Sequence, residues 1–171
     1  MAQQDDDIFL PHGRQEDLLR LTVAPEWVTG STPLNRSVAT LEMSLTNLAV
    51  TALNVPLAVF YIPVGVKQDD LSTSDAMLPF AQATGWVAQT CKIQPVGYFA
   101  FDLIATDPDN AALAPADSLN FTLQGVAVGD APGVATIRFE AYTSEGETDG
   151  ACLVEIALPV RAICGGNYSG T

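Results

Sequence analysis

Histidine is almost absent from this sequence, and its scarcity excludes the commonest hydrolytic chemistry. His12 is the only histidine among 171 residues, and it stands between Pro11 and Gly13 in an acidic segment. A serine triad or a Cys-His nucleophile needs a placed imidazole as its base. The sequence also contains no glycine-rich phosphate loop and no dinucleotide-binding fingerprint. We therefore predict that the protein is not an enzyme, has no catalytic residues and uses no cofactor.

Basic residues are also few. Seven Lys and Arg stand against twenty Asp and Glu, which gives a formal net charge of −13. Surfaces that bind phosphate backbones are rich in Lys and Arg, so we expect no nucleic-acid partner. Anionic membrane surfaces are disfavoured for the same reason. Charged residues make up only 16% of the chain, and a sparsely charged surface tolerates contact with neighbouring molecules.

The sequence shows no secretory signal and no long apolar run. It begins MAQQDDD, which lacks a basic segment followed by an apolar one. The most apolar stretch, residues 55–66, is interrupted by Pro56, Pro63 and Gly65, so we expect no membrane insertion. The expected location is the cytoplasm, where the chain is made, or a particle that is released without such a signal.

Cysteine is scarce as well, with Cys91, Cys152 and Cys164. Three cysteines do not build a disulfide framework, and their spacing fits no zinc site when one histidine is available. Cys152 and Cys164 either pair or, as we favour, remain reduced core thiols. The acidic stretches at 107–110 and 145–149 offer oxygen atoms for calcium, but both are also good turn sequences. We predict no metal site.

What the sequence has in abundance is alternation between apolar and polar residues. Leu41, Met43 and Leu45 alternate with polar residues within 37–47, the period-two pattern of a strand with one buried face. Further runs cover 18–24, 55–64, 85–90, 97–106, 119–128, 134–142 and 152–163. We predict an all-β protein, an antiparallel β-sandwich of the immunoglobulin-like or jelly-roll type with about eight strands.

Turn signals suggest how these strands are joined. The runs at 119–128 and 134–142 flank a stretch with glycine and proline, which predicts a central hairpin. Pro25 is expected to end the first strand and leave Trp27 in a loop. A short helical turn is expected at 74–78, inside the long irregular segment 67–84. An acidic tip is expected at 144–150, before the last strand.

Three motifs point to a known group of proteins. They are Gly85-Trp86 after an irregular loop, the segment LAPADSLNFTL at 113–123, and APGVAT at 131–136. In this combination residues 85–143 resemble a bacterial class of immunoglobulin-like modules. The resemblance implies a β-sandwich that serves as an adhesive, scaffold or accessory module, and it supplies no catalytic residue.

We divide the chain into an acidic N-terminal arm (1–17), a β-sandwich domain (18–164) and a flexible C-terminal tail (165–171). Phe9 is an apolar anchor in the arm, which either frays or docks on a neighbouring subunit or its own domain. The strand at 55–64 is apolar on both sides, so it either lies centrally or offers Phe60 to another subunit. Our leading hypothesis is a structural protein that self-associates or decorates a larger particle or filament. Its partner is then itself or another structural protein.

The alternative hypothesis is a carbohydrate-binding or adhesion module whose partner is a glycan. Trp27 and Trp86 are the predicted ligand-binding residues, and Tyr98 and Tyr142 are further available rings. Aromatic rings stack on sugars, and those of Trp and Tyr also donate hydrogen bonds. Core packing, or a lid over one end of the core, explains the same residues without a ligand. Paired loop carboxylates leave a glycosidase as the third hypothesis.

Overall fold

Alternating apolar residues form strands throughout the computed structural model, which describes residues 18–28, 37–67, 69–128 and 133–156. The only helical element in these ranges is a one-turn 3-10 helix, Pro108–Asn110. The predicted all-β class is therefore confirmed. The strands are β1 Leu19–Val28, β2 Ser37–Asn47, β3 Leu53–Asn54, β4 Leu57–Pro63, β5 Leu78–Ala81, β6 Trp86–Thr90, β7 Tyr98–Ala105, β8 Ala112–Leu113, β9 Ser118–Val128, β10 Gly133–Thr143 and β11 Gly146–Ile156.

Two antiparallel sheets enclose one apolar core. The first has the strand order β1-β2-β9-β5, the second β11-β10-β4-β7-β6, and β3 pairs with β8 in a separate ribbon. The order of the first sheet and of β11-β10-β4 follows an immunoglobulin domain, in which strands A-B-E-D face G-F-C. The chain departs from that order in one respect. Strands β7 and β6 extend the second sheet beside β4, but they come after β5, the strand at the D position, in the chain. The predicted immunoglobulin-like β-sandwich is confirmed.

The eight longer strands correspond to the eight predicted ones, and β3, β5 and β8 are additional. These three have two to four residues each, too few for an alternating pattern. The helical turn predicted at 74–78 is wrong, because β5 begins at Leu78. The Ser72 hydroxyl donates to the Ser74 carbonyl at 2.7 Å, and the Ala76 N–H donates to the Ser74 hydroxyl at 3.1 Å. Such local serine contacts compete with helical hydrogen bonds.

The hairpin predicted between β9 and β10 is wrong. β9 pairs with β2 and β5, whereas β10 pairs with β11 and β4 in the other sheet. The chain therefore crosses between the sheets after Val128. Alternation identifies the buried face of a strand but not its partner, and both strands bury apolar residues toward the same core. Their rings Phe121 and Phe139 both pack on Phe60, with ring centroids 4.8 Å and 6.1 Å away.

Four phenylalanine rings fill the centre of the core. Phe60, Phe101, Phe121 and Phe139 are all fully buried, and each such ring contributes about 1.5–3 kcal/mol relative to exposure. Phe60 has 0% of its surface exposed and stacks on Phe101 at 5.1 Å. The assembly contact predicted at Phe60 is therefore wrong. The other interpretation of this strand is confirmed, because β4 lies centrally between β10 and β7.

The edge strands β1 and β11, which contact each other, both have bounds that differ from the predicted ones. β1 continues through Pro25, which is tolerated because an edge strand needs no partner for that nitrogen. Trp27 thus lies in a strand, opposite Ala39, and its side chain is outside the described part of the structure. β11 begins inside the predicted acidic tip, since only residues 144–145 form the turn. Residues 157–163 lie outside the described ranges.

Candidate functional site

The outer face of the five-stranded sheet carries polar and aromatic side chains. In β10 the odd-numbered residues from 135 to 141 are buried, and the even-numbered ones from 134 to 142 are exposed or half-buried. The strand register places Arg138 opposite Tyr61, and Tyr61 opposite Ala100. It also places Glu140 opposite Asp149. Residues paired across strands share a face, so these side chains lie on one surface.

Two tyrosines meet near the centre of this surface. The rings of Tyr61 and Tyr98 have centroids 6.5 Å apart and planes at 85°, which is the edge-to-face arrangement that aromatic pairs favour. Tyr98 is 37% exposed and Tyr61 is half-buried. The Tyr61 hydroxyl donates a hydrogen bond to Glu140 Oε1 at 3.0 Å. The pair of rings is thereby held against a carboxylate on the neighbouring strand.

These residues line a groove of about 550 Å³, which we call the tyrosine groove. Ligand sites commonly measure about 300–1,000 Å³. Two carboxylates stand directly opposite each other in this groove, an arrangement that destabilises a sheet. The Tyr61 hydroxyl satisfies one oxygen of the Glu140 carboxylate. The lining of the groove includes the side chains of Tyr61, Pro95, Tyr98, Arg138, Glu140 and Asp149.

The electrostatics keep Tyr61 protonated. Burial, followed by the hydrogen bond to Glu140 and the negative charge of that carboxylate, raises the pKa of Tyr61 from 10.0 to about 12. These effects disfavour the phenolate. At neutral pH Tyr61 is a hydrogen-bond donor and does not act as a base.

A glutamine clamp holds the loop between β6 and β7 beside the groove. Gln94 Nε2 donates to the Cys91 carbonyl at 2.7 Å and to the Ala100 carbonyl at 2.9 Å. The Ala100 N–H donates to Gln94 Oε1 at 2.6 Å. Three hydrogen bonds from one side chain fix this loop on the end of β7. They position Pro95 and Tyr98, which both line the tyrosine groove.

The described cysteines are not arranged as nucleophiles. Cys91 Sγ donates to Asp102 Oδ1 at 3.1 Å. Burial, followed by this hydrogen bond and the charge of Asp102, raises the pKa of Cys91 from 9.0 to about 12. Burial also raises the pKa of the Cys152 thiol. Both thiols are free, and the pairing of Cys152 with Cys164 stays untested because Cys164 lies outside the described ranges.

A second groove of about 490 Å³, which we call the loop groove, adjoins the first. It shares Tyr98 and Arg138 with the tyrosine groove. Its other walls come mainly from the loop after β4 and the loop before β7. They include Val64, Val66, Lys67, Asp70 and Val96.

Trp86, one of the predicted ligand-binding residues, is turned toward the core. Its indole Nε1 donates to the Val55 carbonyl at 3.0 Å, and its half-buried ring packs against the core cluster. The indole N–H of Trp86, which could have donated to a ligand, is therefore already hydrogen-bonded within the protein. Trp86 therefore packs on the core from the edge strand β6.

The other predicted site residues fall in different places. Phe9 and the side chain of Trp27 are outside what the structure describes, and their roles stay predictions. Tyr98 lines the tyrosine groove, while Tyr142, also 37% exposed, lies on the same sheet face outside it. Sequence reasoning did not select Tyr61 for a site, because it stands in an almost wholly apolar strand. Its only signal was a polar hydroxyl among aliphatic neighbours.

The acidic turns do not form a metal site within the ranges that the structure covers. No group of three or more His, Cys, Asp or Glu side chains there is arranged to hold a metal ion. Asp107 caps the 3-10 helix: its Oδ1 accepts from the Asp109 N–H at 3.1 Å and its Oδ2 from Asn110 Nδ2 at 2.7 Å. Among the described residues, no helix is long and apolar enough to cross a membrane.

Comparison with known proteins gives similarity at the level of structure. No family model matches the chain. No curated protein matches it either. It is similar to the CBM3b of the major scaffoldin subunit ScaA from Acetivibrio cellulolyticus, with 13% identity, a TM-score of 0.46, and coverage of 80% of this chain and 97% of that one. It is also similar to an uncharacterized protein from Nocardia farcinica with an immunoglobulin-like fold, with 18% identity, a TM-score of 0.44, and coverage of 85% and 89%. The likeness concerns the fold alone.

Proposed function

We propose that the chain is a non-catalytic carbohydrate-binding module and that the tyrosine groove is its ligand site. The observation that carries the proposal is the edge-to-face pair of Tyr61 and Tyr98 beside Arg138, Glu140 and Asp149 on an outer sheet face. A sugar ring has apolar C–H faces and a rim of hydroxyl groups. It therefore needs aromatic surface below it and hydrogen-bonding groups around it. The groove supplies both.

Each groove residue has a distinct role in this proposal. Tyr98 offers its partly exposed ring as the stacking surface, and Tyr61 packs against that ring at 85°. Arg138 donates to sugar oxygens, while Glu140 and Asp149 accept from sugar hydroxyls. Hydrogen bonds to charged groups are about twice as strong as neutral ones. Because two carboxylates outnumber one guanidinium, the groove favours an uncharged glycan over one that carries carboxylates or sulfates.

The tyrosine and the cysteine with strongly raised pKa values do not supply a base or a nucleophile. Tyr61 and Cys91 both have a pKa of about 12, so each keeps its proton at neutral pH. Neither group then serves as a base or a nucleophile. Glu140 and Asp149 are assigned here as hydrogen-bond acceptors for sugar hydroxyls.

The proposal is tested by glycan-array screening of the full chain, followed by calorimetry with the best ligand. Tyr98→Ala should weaken binding at least tenfold, which corresponds to about 1.4 kcal/mol, because the stacking surface is removed. Tyr142→Ala is the matched control, since Tyr142 has the same exposure on the same sheet face but does not line the groove. It should change affinity less than twofold.

Folding and hydrolysis are checked in the same samples. Circular dichroism should show an unchanged fold, because Tyr98 is exposed and not part of the core. Released reducing sugar should stay at background level. A protein that binds no glycan, or that binds equally well after Tyr98→Ala, contradicts the proposal. Sugar release that disappears in Glu140→Gln would replace it with a glycosidase.

A further inference from the structure

Three apolar side chains are almost fully exposed at one end of the sandwich, and we call them the loop patch. Val66 is 92%, Ile93 87% and Val96 99% exposed. They belong to the loop after β4 and the loop between β6 and β7. The Val64 N–H donates to the Gly97 carbonyl at 2.9 Å, which joins the two loops. Val66 and Val96 both line the loop groove, and exposed apolar side chains that lie together mark interaction sites in soluble proteins.

Basic side chains lie beside the loop patch, although most of this protein's charged residues are acidic. Lys67 and Lys92 are each the chain neighbour of a patch residue, and Arg138 lines the loop groove together with Lys67. These are three of the four Lys and Arg residues in the described ranges. Asp69 and Asp70 line the groove too, and the Asp70 carboxylate accepts from the Lys67 backbone N–H at 3.1 Å. A ligand suited to this surface combines an apolar anchor with negative charge.

The chain itself contains such a ligand. Residues 5–10 read DDDIFL, three carboxylates followed by three apolar side chains. They belong to the N-terminal arm, which lies outside the described ranges. We infer that residues 5–10 of one copy bind the loop patch of a second copy, with Phe9 seated on the patch valines and the aspartates facing Lys67 and Lys92.

The start of β1 and the loop patch lie at opposite ends of the sandwich. Leu19, at the start of β1, pairs with Asn47 at the end of β2. The loop after β4 lies at the other end, because the N–H of its residue Thr73 donates to the carbonyl of Ala127, near the end of β9, at 2.7 Å. Ala127 pairs with Val38, close to the start of β2. β1 has ten residues, so the two ends are separated by about 30 Å at a rise of 3.3 Å per residue.

This separation favours binding of the arm to the loop patch of another copy. An extended chain spans at most about 3.6 Å per residue, so the segment from Phe9 to Leu19 reaches about 35 Å. That length exceeds the separation of about 30 Å by only about 5 Å. To reach the patch of its own copy, which lies on strands of the second sheet, the arm would have to be almost completely straight, and ordering it in that way costs conformational entropy. A copy stacked end to end brings its patch to the arm, and such a head-to-tail contact repeats into an open chain.

Sedimentation velocity of the full protein at rising concentration tests the inference. The unmodified protein should form a series of oligomers that lengthens with concentration and weakens with added salt, because part of the contact is ionic. Phe9→Asp should weaken association at least tenfold, as should the double change Val66→Asp and Val96→Asp. Leu78→Asp is the matched control, since Leu78 is 59% exposed on the other sheet. It should leave association unchanged.

Mixing the two defective proteins distinguishes head-to-tail contact from other arrangements. The Phe9→Asp protein keeps an intact patch, and the patch double variant keeps an intact arm. Neither should assemble alone, but an equal mixture should form dimers and stop there, because each dimer uses the one intact arm and the one intact patch. Monomers in every sample, including the unmodified protein and the mixture, overturn the inference, and so does association that ignores these substitutions. Glycan binding at the tyrosine groove should be the same in the Phe9→Asp protein, so the two proposals fail separately.

Discussion

Substitution of Asn47 by alanine should destabilise the protein far more than its single side-chain amide suggests. Asn47 is fully buried at the end of β2. Its Nδ2 donates to the carbonyls of Leu113 at 2.9 Å and Thr51 at 3.0 Å, and its Oδ1 accepts from the Ala49 N–H at 2.7 Å. One amide thus joins the loop after β2 to the segment that leads into β9.

The expected loss follows from these three hydrogen bonds. Each contributes about 1 kcal/mol, and a buried group left without its partner costs about 1–3 kcal/mol. The bond to the Leu113 carbonyl is buried, whereas Thr51 is exposed and its carbonyl can turn to water. Asn47→Ala should therefore lower the free energy of unfolding by about 3 kcal/mol.

Urea denaturation followed by circular dichroism measures this loss. With a slope of about 2 kcal/mol per molar urea, the midpoint should fall by about 1.5 M with the slope unchanged. Asn120→Ala is the matched control, because Asn120 is exposed and its side chain accepts one hydrogen bond, from the Ser44 hydroxyl at 2.6 Å. That change should cost less than about 0.5 kcal/mol. Equal midpoint shifts for the two variants would refute the reasoning.

Two further predictions concern the five-stranded sheet: the ionisation of Tyr61 on its outer face and the packing of Gly150 in its edge strand β11. Because the pKa of Tyr61 is about 12 in the folded protein and 10.0 in an unperturbed tyrosine, its contribution to stability is complete below pH 10 and is lost as the pH rises from about 10 to 12. Tyrosinate absorbance measures the pKa of Tyr61 when the signal of the Tyr61→Phe protein is subtracted. In Glu140→Gln this pKa should be lower but still above 10, because Tyr61 remains partly buried. An unchanged pKa contradicts the role of Glu140. Gly150→Ala should lower stability by about 1–3 kcal/mol, since a Cβ there would lie 2.7 Å from Phe139 Cε1. Urea midpoints measure this loss, and Ala151→Ser at the neighbouring exposed position is the control. If the midpoint of Gly150→Ala changes as little as that of Ala151→Ser, Gly150 is not closely packed against Phe139.

Local pattern was sufficient to locate the longer strands, although not all of their ends. The alternation at 37–47 predicts β2 to the residue, and eight such runs correspond to the eight longer strands. The pleat of a strand turns successive side chains to opposite faces, so a half-buried strand has period two wherever it lies in the fold. The scarcity of histidine is a property of composition, so it argues against histidine-based acid-base catalysis whatever the order of the strands.

Pattern failed where several strands were equally suitable partners. The segment after Val128 reads as a hairpin turn, yet β9 and β10 join different sheets. Trp86 reads as an available ring, yet its N–H bonds the Val55 carbonyl over the core. In both cases the deciding contact lies with a segment distant in the sequence.

The sequence alone determined the fold class and the approximate positions of the eight longer strands. Only the tertiary structure decided that Tyr61, Tyr98 and Arg138 share one groove. These residues come from three strands that are far apart in the chain, and nothing in the neighbourhood of any one of them predicts the other two. The physical reason is that strand register, and therefore the composition of a sheet face, is set by which sides of all the strands bury best together.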